Sequence, residues 1–386
     1  MANFKKSSIA VIIAVVATGV VITALFLALR DRLPLRDAAD RWLYDRIARA
    51  AYNFRKPPQA INDILLVLID NDTLNNMPSR WPYPRSDFAK VIDNLMAAGA
   101  GAVAFDFTFL GTSEPDEDAA LKSAMERHNK VALACSVNDR GALDFCSFSK
   151  AGPGPETPFG IVTKMQDNDG VTRGALTYLV SGNDPNRGFL SWGMQILNIV
   201  DPITFESLSN GNEYVAFETA SGKLWEIPVM PDTKSFLINF RAHTADFDRL
   251  SFYDALEGRF EPSVVKGRIA MVGLASSLFG DLHNTPIGWL PGITVNANAF
   301  LTLYARDFLK RLPAGIEIIV VIGGVLLGLF FCLTFRARTA YVLITIQIAL
   351  FFLLSYLLYI NGHVWNYFDF PFMAAISSVA ARFRPA

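Results

Sequence analysis

Apolar residues gather in four runs, one at 7–29 and three between 312 and 381, while the long stretch between them mixes apolar and polar positions at short range. About twenty nearly uncharged residues let a helix cross a hydrocarbon core of ~30 Å. The pattern predicts transmembrane helices at 7–29, 312–334, 340–360 and 364–381, a cytoplasmic N-terminus at 1–6, a soluble domain at 30–311 and a cytoplasmic tail at 382–386. The first run exceeds a typical signal-peptide core and has no small-x-small site before Arg30, so an uncleaved anchor is expected. The last run is the weakest: it holds Asp369 and Pro371, although Trp365, Tyr367 and Phe368 suit a membrane interface.

In the soluble stretch, residues 63–70 (DILLVLID) are too few for a helix and end in an acid, as a buried parallel strand does. Phe88, Val91, Ile92, Leu95 and Met96 then recur at helical spacing, with Gly99 past the end. A second strand follows at 101–107, a helix at 116–128 and a third strand at 131–136. This alternation predicts an α/β fold, a mostly parallel sheet sandwiched by helices. Residues 146–158 read as a loop, 189–200 as a helix and 214–240 as two or three antiparallel strands. Alternation resumes with a helix at 251–257 closed by Gly258, a strand at 268–274, a long loop to Gly292 and a helix at 295–308 leading almost directly into the second span. Residues 36–54 set Leu43, Ile47, Ala50, Ala51 and Phe54 among Arg and Asp, an amphipathic helix that either carries a shift of the first span or packs on its own domain.

Charge orients the chain. Lys5 and Lys6, Arg336 and Arg338, and Arg382 and Arg384 fall on one side if every run crosses, which places both termini in the cytoplasm and the domain outside. Arg30, Arg32, Lys310 and Arg311 argue weakly against this, but large domains translocate whatever their flanking charge. A net charge of −1 leaves no basic stripe, so nucleic acid is not an expected partner. Cys135 and Cys146 either close a short loop as a disulfide or stay separate buried thiols, and Cys332 lies in a span.

The runs IDNDTL at 69–74, WPYPR at 81–85, AGAGAVAFDFTF at 98–109 and DEDAAL at 116–121 resemble the type-2 CHASE domain, the extracytoplasmic sensor of bacterial cyclases and histidine kinases. DNDGVTR at 167–173, SFYDALEG at 251–258, KGRIAMVGLA at 266–275, DLHNTP at 281–286 and PGITVNANAF at 291–300 agree in order. The resemblance covers about 36–310, and the three trailing spans are the family's usual arrangement, which favours counting 364–381 as a span. One departure is Asn296, where the family commonly has His, so a role for that imidazole is not expected here. The resemblance implies an inner-membrane, multi-pass input module for a cyclase or kinase, and with five residues after Ala381 there is no room for a catalytic output domain, so the output would be a partner or a longer chain.

Strand carboxyl ends and the loops after them form the crevice of a parallel sheet, which nominates Asp70, Asp72, Asp106 and Asp281, with Ser276 and Ser277 nearby. Such acids hold a divalent cation or a ligand amine, or else cap turns. Arg85 and Arg173 suit either an anionic ligand or an internal ion pair, and Trp81 either a pocket wall or a packed loop; Asn296 completes the candidate set. Enzyme chemistry has little support: His128, His243, His283 and His363 lack zinc-ligand spacing, and there is no P-loop, nucleophile elbow or dinucleotide fingerprint. No cofactor is expected. The reading is a sensor of an unknown small-molecule or ionic signal, working as a homodimer through the first span and the 36–54 helix, where Gly19, Ala38 and Ala39 allow close approach. A periplasmic membrane-anchored enzyme or an envelope scaffold is the alternative.

Overall fold

The computed structural model describes residues 17, 19–137, 143–144, 158–162, 164–181, 184–275 and 279–379. Residues 7–16 and 18 of the first apolar run, the basic residues Lys5, Lys6, Arg382 and Arg384, and the candidates Cys146, Ser276 and Ser277 lie outside them. Internal packing divides the chain into two units, Arg55–Phe308 and the combination of Met1–Phe54 with Leu309–Ala386.

The larger unit is the expected α/β fold. Its sheet strands are β1 (Ile64–Ile69), β2 (Ala102–Phe105), β3 (Val131–Val137), β4 (Phe159–Ile161), β5 (Asp248–Ser251) and β6 (Ile269–Leu274). They run in the order β5-β1-β6-β2-β3, with β4 also paired to β3, and every one of these pairs is parallel. Leu143–Asp144 adds a short antiparallel piece on β3. Burial on both faces explains why β1, β2 and β6 read as continuous apolar runs instead of alternating ones.

Helices α1 (Asn71–Asn76), α2 (Arg85–Ala97), α3 (Pro115–His128), α4 (Trp192–Val200), α5 (Phe252–Glu257) and α6 (Gly292–Tyr304) cover the two faces. Helices α1, α2, α3 and α5 pack together on one, where Leu65, Val67, Val103, Phe105, Leu133 and Val272 meet Phe88, Ile92 and Phe252. Helices α4 and α6 take the other. Strand residues there are small (Ala102, Ala104, Ala132, Ala134), and the helices come close. A Cβ on Gly273 would lie 2.7 Å from Ile293, and one on Gly160 2.5 Å from the Trp192 Cα, so glycine is required at both positions.

Several predicted boundaries shift. Helix α6 begins at Gly292 and not 295, because Pro291 caps it, and it ends at Tyr304 and not 308, because Arg306 adopts φ +53° and the amides of Ala305, Arg306 and Asp307 turn back onto the last helical carbonyls. The expected loop before it contains a hairpin, Leu282–Thr285 paired with Gly288–Pro291. Helix α4 starts at Trp192, Phe189 belonging to the strand Asp184–Leu190. Three antiparallel strands occupy the 214–240 region as expected, Tyr214–Thr219, Leu224–Pro228 and Ser235–Leu237. Cys135 is a buried free thiol, pushed up to about 12 by burial.

In the smaller unit, two helices among the described residues are long and apolar enough to cross a membrane, Ala314–Thr334 and Ala337–Ile360. The described part of the first run forms the shorter apolar helix Gly19–Leu29, and Asp369–Val379 has 11 residues, so a count of four spans goes beyond what these helices establish. The helix Pro34–Phe54 packs within this unit, burying Tyr44, Ile47, Ala48 and Ala51, with the Tyr44 ring beside Tyr359 and Tyr367. Phe54, expected on its apolar face, is 81% exposed. Gly19 is used inside the chain: its Cα faces the Leu329 side chain, and a Cβ there would collide with it.

Candidate functional site

A polar cluster occupies the carboxyl edge of the sheet on the α6 side. Asp106 follows β2 directly, its amide still bonding Val272 of β6 at 2.8 Å. By strand alternation its side chain falls on the Ala104 side, opposite Phe105. There Asn296, in the second turn of α6, donates from Nδ2 to Asp106 Oδ1 at 2.6 Å. Asp281 comes from the loop after β6, His283 from the hairpin strand Leu282–Thr285, and Lys164 from the strand Lys164–Gln166. His283 Nε2 lies 2.9 Å from Asp281 Oδ1 and 3.3 Å from Lys164 Nζ, and Lys164 Nζ lies 3.8 Å from Asp281 Oδ1. A single ring nitrogen serves one partner at a time: it donates to Asp281 when it carries hydrogen and accepts from Lys164 when it does not.

The two carboxyls are driven apart. Burial pushes Asp106 up to about 6, Lys164 opposes, the Asp281 charge adds to the rise, and the Asn296 hydrogen bond and His283 pull weakly down. Burial also acts to raise Asp281, but its hydrogen bond with His283, the Lys164 charge, the His283 charge and the Gly292 amide outweigh it, so Asp281 sits below the ordinary carboxylate range. Gly292, the first residue of α6, leaves room for the cluster, because a Cβ there would displace the Asp281 carboxylate and the Lys164 ammonium. Among the described residues no His, Cys, Asp and Glu group is arranged to hold a metal ion.

Trp81 and Arg85 build a different feature, a cleft of about 550 Å³ between residues 79–88 and the loop after β2. Trp81 contacts Tyr83, Phe88, Phe107 and Phe279, each with its ring edge-on. Arg85, 6% exposed, pairs with Asp118 and donates to the carbonyls of Leu110 (3.0 Å) and Gly111 (2.8 Å). Its role is to hold the cleft wall in place.

The remaining candidates do not join either feature. Asp70 caps α1, accepting from the Thr73 amide at 2.9 Å, and Asp72 is exposed and accepts from Asn76 Nδ2 at 3.1 Å. The sequence-level idea that Asp70, Asp72, Asp106 and Asp281 share one site therefore holds only for the last two. Arg173, 4% exposed, closes its own hairpin turn by pairing with Asp167 (2.6 Å) and Asp169 (2.9 Å), the internal ion pair that was the alternative to ligand binding. Sequence reasoning missed Lys164, His283 and Gly292. The spacing of Asp281 and His283 is that of same-side neighbours in an extended chain, a usable signal once the hairpin is recognised.

The family model described as the CHASE2 domain matches residues 16–330. No curated protein and no solved structure matches the chain. The chain belongs to the CHASE2 family, whose domain is an extracytoplasmic sensory one.

Proposed function

We propose that this CHASE2 chain is a multi-pass inner-membrane sensor: four spans at 7–29, 312–334, 340–360 and 364–381, cytoplasmic termini, a periplasmic α/β domain, and a cyclase or kinase output reached through a homodimer. The observation that carries the reading is the Asp106–Asn296 hydrogen bond. It joins the carboxyl edge of the sheet, where ligands of such folds bind, to helix α6, whose last residue, Tyr304, lies ten residues before the apolar helix Ala314–Thr334. A small-molecule or ionic signal that changes the charge of Asp106 changes what this bond is worth, and thereby biases α6 between two arrangements.

Two measurements test this. Compartment-specific reporters fused at Gly222 and at Ala386 should respond from opposite sides, and a response from the same side rejects four spans. Hydrogen exchange of the full chain in nanodiscs should show protection of α6 that differs between about pH 5 and pH 7.5, a difference absent in Asp106→Asn. Protection that is independent of pH in the unaltered chain rejects the coupling route.

A further inference from the structure

The cleft walled by Trp81 and Phe107 shares no lining residue with the Asp106, Asp281, His283, Lys164 and Asn296 cluster, and its charge balance says what it suits. Its volume of about 550 Å³ is within the ~300–1,000 Å³ typical of small-molecule sites, and its lining sets the rings of Trp81, Tyr83, Phe88, Phe107 and Phe109 among polar and charged residues. The one cation among its lining residues, Arg85, is already engaged by Asp118 and two carbonyls. Glu114 and Glu117 also line it, Glu114 exposed and Glu117 accepting from the Ser86 amide. Tyr83 lines the cleft as well; it is only 4% exposed, and its hydroxyl is a buried polar group with no hydrogen-bond partner among the described residues. Such a group is costly unless a ligand or water satisfies it. Burial above all, with the charges of Asp70 and Asp87 adding to it, raises Tyr83 above the ordinary phenol range.

We propose that this cleft binds a small organic amine with an aromatic or branched apolar body, its ammonium donating to the Tyr83 hydroxyl, its body lying against Trp81 and Phe107, and its charge balanced by Glu114 and Glu117. Aromatic faces and acidic rims both favour a cation over an anion of the same shape. The proposal rests on the cleft alone and not on the coupling route through Asp106, so either can fail without the other.

The test is isothermal titration of the full chain in nanodiscs with phenethylammonium, against 2-phenylethanol and phenylacetate as neutral and anionic probes of similar shape, with empty nanodiscs subtracted. Phenethylammonium should bind one site at least about tenfold more tightly than either control. Tyr83→Phe should weaken it by roughly three- to tenfold by removing the acceptor, and Glu114→Gln, on the exposed rim, should weaken it and reduce its salt dependence. Leu110→Trp, at an exposed position at the cleft wall, should abolish binding while leaving the heat-unfolding transition in place. Equal affinity for the alcohol, binding that survives Leu110→Trp, or no saturable heat with phenethylammonium each overturns the proposal.

Discussion

Asp106 in the α/β unit and Asp369 in the helical unit are both aspartates largely withdrawn from water, yet their surroundings differ in kind. Asp369 is 1% exposed and is gripped on both oxygens: Arg36 Nε lies 2.7 Å from Oδ1, Arg36 Nη2 3.0 Å and Arg30 Nη1 3.1 Å from Oδ2. Its own amide donates to Asn366 Oδ1 at 2.8 Å. Next to it, Asp40 accepts from the Tyr367 amide at 2.6 Å, so the helix Pro34–Phe54 is tied twice to the segment before Asp369–Val379. Asp106 receives one neutral amide, while Lys164, His283 and Asp281 act on it through space. A forked guanidinium pair fixes geometry and charge together, whereas a single neutral donor fixes geometry and leaves the proton free to exchange. The contrast separates a part made to hold helices from a part able to respond.

The comparison breaks most visibly at Asp369. Replacing it with Ala removes the carboxylate that joins Arg30 to Arg36, and removing one partner of a buried ion pair typically costs about 3–5 kcal/mol. Denaturant unfolding of the full chain in nanodiscs should show a loss of that order, with Asp369→Asn intermediate because it keeps the acceptor oxygen. A loss below about 1 kcal/mol would reduce the clasp to the level of a surface pair.

Asp106 tests the other side of the contrast. Its ordinary value is 3.8, and in the folded chain it rises to about 6, so between the two the folded state binds more protons than the unfolded one. Stability contributed by this group is therefore greatest at low pH and falls as pH rises through that window, by about 3 kcal/mol in full. Lys164, Asp281, His283 and Asn296 face it, and of these Asp281 has the opposite sign: held below its ordinary value, it contributes stability above that value that is lost only as pH falls through its lowered range. The two effects thus occupy different windows. Unfolding free energies of the full chain between about pH 4 and pH 6.5 should decline with pH, and Asp106→Asn should flatten the decline.

The sequence discloses this contrast unevenly. The parallel sheet is legible because β1, β2 and β6 are short apolar runs each followed by a predictable helix or loop. Asp106, Asp281 and Asn296 are legible as candidates from their positions at strand ends and in an ordered set of motifs. Lys164 and His283 are not, since each sits in a local hairpin and nothing in either local pattern says that the two hairpins, 119 residues apart at these side chains, meet at Asp281. The Arg36–Asp369 pair is hidden for a similar reason, spanning 333 residues of chain. Asp369 reads in sequence as a blemish in an apolar run, and only its two arginines explain its presence there.

The smallest effect sharpens the contrast by showing what an acid does when it only caps a short helix. Asp70 also follows a strand at the carboxyl edge, but its carboxylate accepts the Thr73 amide, and Thr73 in turn donates to the Leu68 carbonyl at 3.0 Å. This is N-capping of a six-residue helix, for which substitution by Ala typically costs about 1 kcal/mol. Asp72, two residues along and exposed, should cost no more than about 0.5 kcal/mol. Asp70→Ala should lower stability by that single step in denaturant unfolding of the full chain in nanodiscs. A loss well above about 2 kcal/mol would exceed what a cap contributes and would mean that the Asp70 carboxylate does more at the strand end than hold the Thr73 amide.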